Sequence, residues 1–180
     1  IRLRHGSMGQ FVRLHRDADH PTLMPALLAL ARELGTASSA HCGFLVANPQ
    51  GVCAHKRLNL MARWLVRVDD VDPGGWRGLS PAHLVVPLDV HMHRVGTRLG
   101  FTHRPRPDLR AAREVTSGFA SIRPEDPVRY DFSLTRASMD GALPPWLDGH
   151  GSRTASPDDT FSCFFNDTAT TEIYTRGGDE

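Results

Sequence analysis

Residues 54–68 read AHKRLNLMARWLVRV. At 100° per residue, Leu58, Met61 and Leu65 fall within about 60° of one another on a helix. Lys56, Asn59, Arg63 and Arg67 gather on the opposite side, within roughly 80°. The pattern predicts a helix from Ala54 to Val68 with one apolar face for a core and one cationic stripe for solvent or a polyanion.

The neighbouring segments follow the same period. Leu23, Leu27, Leu30 and Leu34 predict a helix over Thr22 to Leu34, stopped by Gly35. Ser80–Pro81 reads as an N-cap with proline at the first helical position, opening a short helix that ends at Pro87. Asp89 caps a helix through Leu99, with Met92, Val95 and Leu99 as its buried line and Gly100 as its close. Asp108 opens another, on which Leu109, Ala112, Val115, Phe119 and Ile122 recur every three or four residues. Asp126–Pro127 starts the last, with Val128, Phe132 and Met139 turned inward. Phe44 to Val46 is too short a run to define a strand. The expectation is an all-α fold, a helical bundle or orthogonal helical domain.

Composition sets the limits. The 180 residues are 40% apolar and 23% charged, as in an ordinary globular chain with one core. Three cysteines are too few for a disulfide scaffold or a four-thiolate metal site. The uncharged stretch from Pro21 to Ala31 is too short to span a bilayer. These features point to a cytoplasmic monomer rather than a membrane or fibrous protein. The net charge of +1 conceals a division: residues 54–139 carry one Lys, thirteen Arg and nine acids, whereas 140–180 carry two Arg and eight acids. A basic middle suits a polyanionic partner, and equally a solvated surface.

The chain opens on Ile1 and reads as a fragment. From Asp140 it turns acidic and rich in Gly, Ser, Thr and Asp, and Asn166 to Thr175, NDTATTEIYT, resembles a translated sequencing adapter. A single helical domain is therefore expected over 1–139, with 140–180 a disordered or artefactual tail.

Three places could carry chemistry. Lys56 is the chain's single lysine among twenty arginines. At the start of a helix and near Arg57 and Arg63, its ammonium is disfavoured, which is one way to prepare an amine nucleophile. A solvated lysine on an amphipathic helix is the plainer reading. Asp89 is an N-cap, or a carboxylate fixed by that cap to face a cationic centre. The run Asp72-Pro-Gly-Gly-Trp-Arg-Gly-Leu-Ser80 is an inter-helix turn, or a phosphate cradle built on the amides around Gly75, Gly78 and Ser80. Metal chemistry finds no support: His91 and His93 lie about 200° apart on a helix, and Cys42 and Cys53 lack ligand spacing. No phosphate-binding G-x-x-x-x-G-K-[ST] loop is present. Trp64, Trp76 and Phe101 could stack on a base, with core packing the safer reading for Trp64.

These residues also carry a resemblance. Lys56 to Arg67, Asp69 to Asp72, Trp76, Gly78, Pro87-Leu88-Asp89-Val90-His91, and Asp126 to Phe132 resemble an uncharacterised bacterial family. That family looks like a distant branch of the helix-hairpin-helix DNA glycosylases, which include endonuclease III. In those enzymes an aspartate follows Val or Leu and precedes a Thr-His pair. Leu88-Asp89-Val90-His91 matches, with Val90 in place of the threonine. Lys56 stands 33 residues ahead of Asp89, an interval like that in the archaeal 8-oxoguanine glycosylases. A Leu-Pro-Gly-Val-Gly hairpin is absent, with the Gly74–Ser80 loop a loose substitute, and so is a C-terminal four-cysteine iron–sulfur signature.

The resemblance implies part of a helix-hairpin-helix glycosylase fold and a glycosylase/lyase that acts on a damaged base flipped from double-stranded DNA. Lys56 would attack the sugar and Asp89 would stabilise the developing cation. Arg57, Arg63, Arg67 and the amides near Gly75, Gly78 and Ser80 would hold phosphates. No cofactor is expected in the chain itself, and its place would be the nucleoid. A non-catalytic nucleic-acid-binding module and a helical protein-interaction domain are the alternatives.

Overall fold

The computed structural model describes residues 6–37 and 53–148. These form helices α1 (Met8–Leu14), α2 (Met24–Ala37), α3 (Lys56–Val66), α4 (Val90–Arg98), α5 (Leu109–Ile122), α6 (Asp131–Met139) and α7 (Pro145–Asp148), with a 3-10 turn at Pro81–His83. Among the described residues the sole β pairing is an isolated bridge between Cys53 and Asp108. The all-α expectation holds. No helix among the described residues is long and apolar enough to cross a membrane. Phe44–Val46 lies outside the described residues.

Side-chain caps set the helix starts, because the first amides of a helix have no partner within it. Ser7 Oγ accepts from Gln10 N at 3.1 Å. Asp89 Oδ1 accepts from Met92 N, and Asp108 Oδ1 from Ala111 N, both at 2.8 Å. The two aspartate caps and the buried lines Met92–Val95 and Ala112–Val115–Phe119 stand where the periodicity puts them. One core joins α1 and α2, through Phe11, Val12, Leu23, Leu27 and Leu30, to the helices that follow. Gly96 allows α4 and α5 to approach closely: a Cβ there would lie 2.5 Å from Val115 Cγ2.

Several boundaries differ from expectation. Helix α1 has no counterpart in the periodicity reading, since its seven residues give too short a pattern. Helix α2 runs through Gly35, an exposed position where an added side chain would meet nothing within 4 Å, so the glycine does not terminate it. The segment after Ser80 makes one 3-10 turn and then extends, with Leu84 to Leu88 buried. Pro87 disfavours the helical conformation at Val86, and the amide of Val86 goes to Thr116 Oγ1 at 3.0 Å instead. Helix α6 begins at Asp131, after turns through Asp126 to Tyr130. The packed chain also continues past 139: Leu143 and Leu147 are buried in the same core.

Helix α3 is the largest correction. The face expected in solvent is the buried one: Asn59, Arg63 and Arg67 are 1%, 2% and 6% exposed. Arg63 Nε donates to Asp72 Oδ2 at 3.0 Å, and its Nη1 to Asp131 Oδ2 at 2.5 Å. Arg67 donates to Asp72, to Asp69 at 2.7 Å and to Asp126 at 3.0 Å. The carboxylates that neutralise the stripe come from the Asp69–Asp72 loop and from the approach to α6. A helical wheel cannot show partners supplied from so far along the chain.

Candidate functional site

Three helix beginnings converge on one cleft. Lys56 is the first residue of α3, Asp89 is the N-cap of α4, and Asp131 is the first residue of α6. All three line a cavity of about 590 Å³, within the roughly 300–1,000 Å³ span of small-molecule pockets. Its walls are largely apolar, formed by Leu60, Trp64, Val71, Pro87, Phe132 and Met139. The exposure of these walls reverses the inward placements expected for Trp64, Phe132 and Met139, which are 46%, 39% and 63% exposed.

Lys56 Nζ donates to Asp89 Oδ2 at 2.9 Å. The lysine is half exposed and the carboxylate mostly covered. The cap bond to Met92 fixes one oxygen of Asp89, leaving the other for the ammonium. Burial alone would raise the pKa of Asp89. The Met92 amide and the Lys56 ammonium outweigh it and hold the carboxyl below its ordinary value.

Asp131 has the opposite balance. Burial pushes its pKa up to about 6, and the negative charge of Asp89 adds to the rise, against Arg63 and Lys56, which oppose it. Of the three carboxyl groups that line the cleft, Asp89 and Asp131 are thus shifted in opposite directions. Arg63 forms the inner wall, with its guanidinium carbon 5.9 Å from the centre of the Phe132 ring. Its position is fixed from behind by Asp72, which is fully buried.

The remaining expected site residues stand elsewhere. Arg57 is exposed and lines a neighbouring hollow of about 330 Å³ with Cys53, His55 and Leu88. Arg63 and Arg67 aim their guanidinium groups at carboxylates inside the molecule and do not form a phosphate-facing stripe. Gly75, Gly78 and Ser80 do not line the cleft. Their loop completes the end of α3: the amides of Gly74 and Trp76 donate to the carbonyls of Trp64 and Leu65 at 2.9 and 2.7 Å. Gly75 and Gly78 supply the positive φ values of that turn, 128° and 78°. Ser80 Oγ accepts from Ala82 N at 3.3 Å and caps the 3-10 turn. Sequence reasoning brought Lys56 and Asp89 together but gave no role to Asp131. The available signal was an acid at the end of Asp126-Pro-Val-Arg-Tyr-Asp131, directly before the apolar Phe132.

Fold and site together define an all-α protein with a lysine–aspartate pair at the edge of an apolar cleft. The chain belongs to the family described as Protein of unknown function (DUF2400), whose model matches residues 1–140. No curated protein and no solved structure matches it.

Proposed function

We propose that the chain is a lysine-dependent DNA glycosylase/lyase of the helix-hairpin-helix kind, acting on a damaged base flipped out of duplex DNA in the nucleoid. The observation that carries this reading is the 2.9 Å approach of Lys56 Nζ to Asp89 Oδ2 at a cavity of about 590 Å³. The apolar walls suit a base ring, which stacks favourably on aromatic side chains. Arg63 and Arg67 pair with four carboxylates, of which Asp72, Asp126 and Asp131 are largely or wholly buried and Asp69 is exposed. The remaining surface of 54–139 is therefore more basic than the segment as a whole. Arg57, Arg77, Arg94, Arg98, Arg106 and Arg110 are exposed on it, as phosphate binding requires.

In the reaction the base enters the cleft and the sugar lies across the lysine–aspartate pair. Lys56 first gives a proton from its ammonium to water, and as the amine it attacks C1′ as the base departs. Asp89 remains ionised, pairing in turn with the ammonium and with the positive charge that develops on the sugar. The resulting imine permits strand cleavage by β-elimination. A second reading keeps the DNA and omits the chemistry, because Lys56 Nζ is already engaged by Asp89 Oδ2 at 2.9 Å. Duplexes carrying uracil, 8-oxoguanine or an abasic site, reduced with borohydride, separate the two. A covalent adduct abolished by Lys56→Gln supports the enzyme. Retarded DNA with no adduct supports the binding module, and an adduct that survives Lys56→Gln defeats the assignment of the nucleophile.

A further inference from the structure

We propose that Asp131 is the general acid of this cleft, protonating the departing base while Asp89 stays ionised beside the sugar. The proposal rests on the glycosylase reading above. Both carboxyl groups line one cavity, each with its own cationic partner. Asp89 stands with Lys56 at the more exposed edge. Asp131 is the less exposed carboxyl, at 7% against 15% for Asp89, and is held by Arg63 at 2.5 Å. Arg63 is itself fixed by Asp72, so the carboxyl of Asp131 is anchored through two buried partners. Phe132, its chain neighbour, and Trp64 provide the cleft's aromatic surfaces. A base seated on those rings lies beside Asp131, and its sugar lies toward Lys56 and Asp89.

Two carboxyl groups in unlike surroundings can divide acid and electrostatic roles, the buried one serving as the acid. An efficient general acid titrates near working pH, and Asp131 at about 6 meets that condition where Asp89 does not. Lys56 and Arg63 face Asp131 from α3, and Asp89 faces it from the start of α4. Arg136 and Asp140 line the same cleft on its own helix and its C-cap, and His91 of α4 meets α6 at Ser138. In the step itself the O–H bond of Asp131 breaks and its electron pair stays on oxygen. The proton joins the base nitrogen as the C1′–N pair moves onto that nitrogen, while the amine pair of Lys56 forms the new bond to C1′. Water takes a proton from the resulting secondary ammonium, which frees the nitrogen pair to open the ring to a protonated imine as O4′ takes a proton from water, and Asp131 is reprotonated from solvent.

The test uses the full chain and the conservative variants Asp131→Asn and Asp131→Glu. In the free protein, infrared difference spectra should show a carboxyl that titrates with a midpoint near 6 and is absent from Asp131→Asn. Single-turnover release of uracil or 8-oxoguanine should fall on the alkaline side of the same midpoint. Asp131→Asn should lose this dependence and at least a hundredfold in rate, and Asp131→Glu should restore a titrating limb. Borohydride trapping on an abasic duplex, where no base departs, should fall less than tenfold in Asp131→Asn. Equal losses in both reactions, an unchanged release rate, or no carboxyl titrating above pH 5 would each overturn the proposal. A wild-type chain that forms no adduct with abasic DNA removes the glycosylase reading and this proposal together. An adduct without the titrating carboxyl removes this proposal alone.

Discussion

Replacing Arg63 by Met tests whether α3 turns its charged side inward. Arg63 is 2% exposed and donates to both Asp72 and Asp131. Methionine fills similar volume but leaves Asp131 without its guanidinium and Asp72 with Arg67 as its remaining cation. Among the described residues, Asp72 Oδ1 already has no hydrogen-bond partner, so this buried carboxylate has little to fall back on. Removing one member of a buried charge network costs about 3–5 kcal/mol. That is a large share of the roughly 5–15 kcal/mol stabilising a domain. At about 2–4 °C per kcal/mol for a chain of this size, the melting temperature should fall by roughly 6–20 °C. Adding Asp131→Asn to Arg63→Met should recover part of the loss, because the second change removes the stranded charge. Arg57→Gln, on the exposed side, should cost no more than about 0.5 kcal/mol. Urea unfolding followed by circular dichroism measures all four proteins. An Arg63→Met chain as stable as wild type, with a DNA-binding salt slope reduced by about one, would show a phosphate-facing arginine and refute the buried network.

The pH dependence of stability carries a definite sign. Asp131 titrates near 6 in the folded chain against an ordinary 3.8, so between those values the folded state binds the proton more readily. Its contribution to stability therefore grows as pH falls from 7 toward 4, by about 1–3 kcal/mol, and pH-resolved denaturation of Asp131→Asn should lack this gain. Asp89, held below its ordinary value, acts oppositely: its contribution is present above 3.8 and lost as pH falls through the folded value. Asp89→Ala should lose about 1 kcal/mol with the Met92 cap, whereas Asp89→Asn, which can still cap, should lose less than half of that on thermal unfolding. Gly96→Ala should cost about 1–3 kcal/mol in the same measurement, because the added methyl meets Val115 across the α4–α5 crossing.

Local signals placed much of this fold, and distant partners decided the rest. The capping aspartates at 89 and 108 and the buried lines of α4 and α5 depend on residues within one or two turns, so spacing alone located them. The orientation of α3 depends on Asp72, Asp126 and Asp131, which lie 5 to 68 residues from the arginines they neutralise. With those partners unseen, a cationic stripe reads as solvated. Trp64 and Phe132 show the complement: large apolar side chains read as core when the concavity that exposes them is a property of three helices together. The pairing of Lys56 with Asp89 was legible through the matched motif, and the place of Asp131 in the cleft was not, because a buried acid and an exposed one look alike in sequence.

The most direct test of the central claim is to locate, by peptide mass spectrometry, the residue that carries a reduced deoxyribose after incubation with abasic duplex DNA and borohydride. With one lysine in the chain, the label is expected on the peptide containing Lys56 and nowhere else. A label at the amino terminus alone, or none under conditions in which the DNA is demonstrably bound, would contradict a catalytic amine in this cleft.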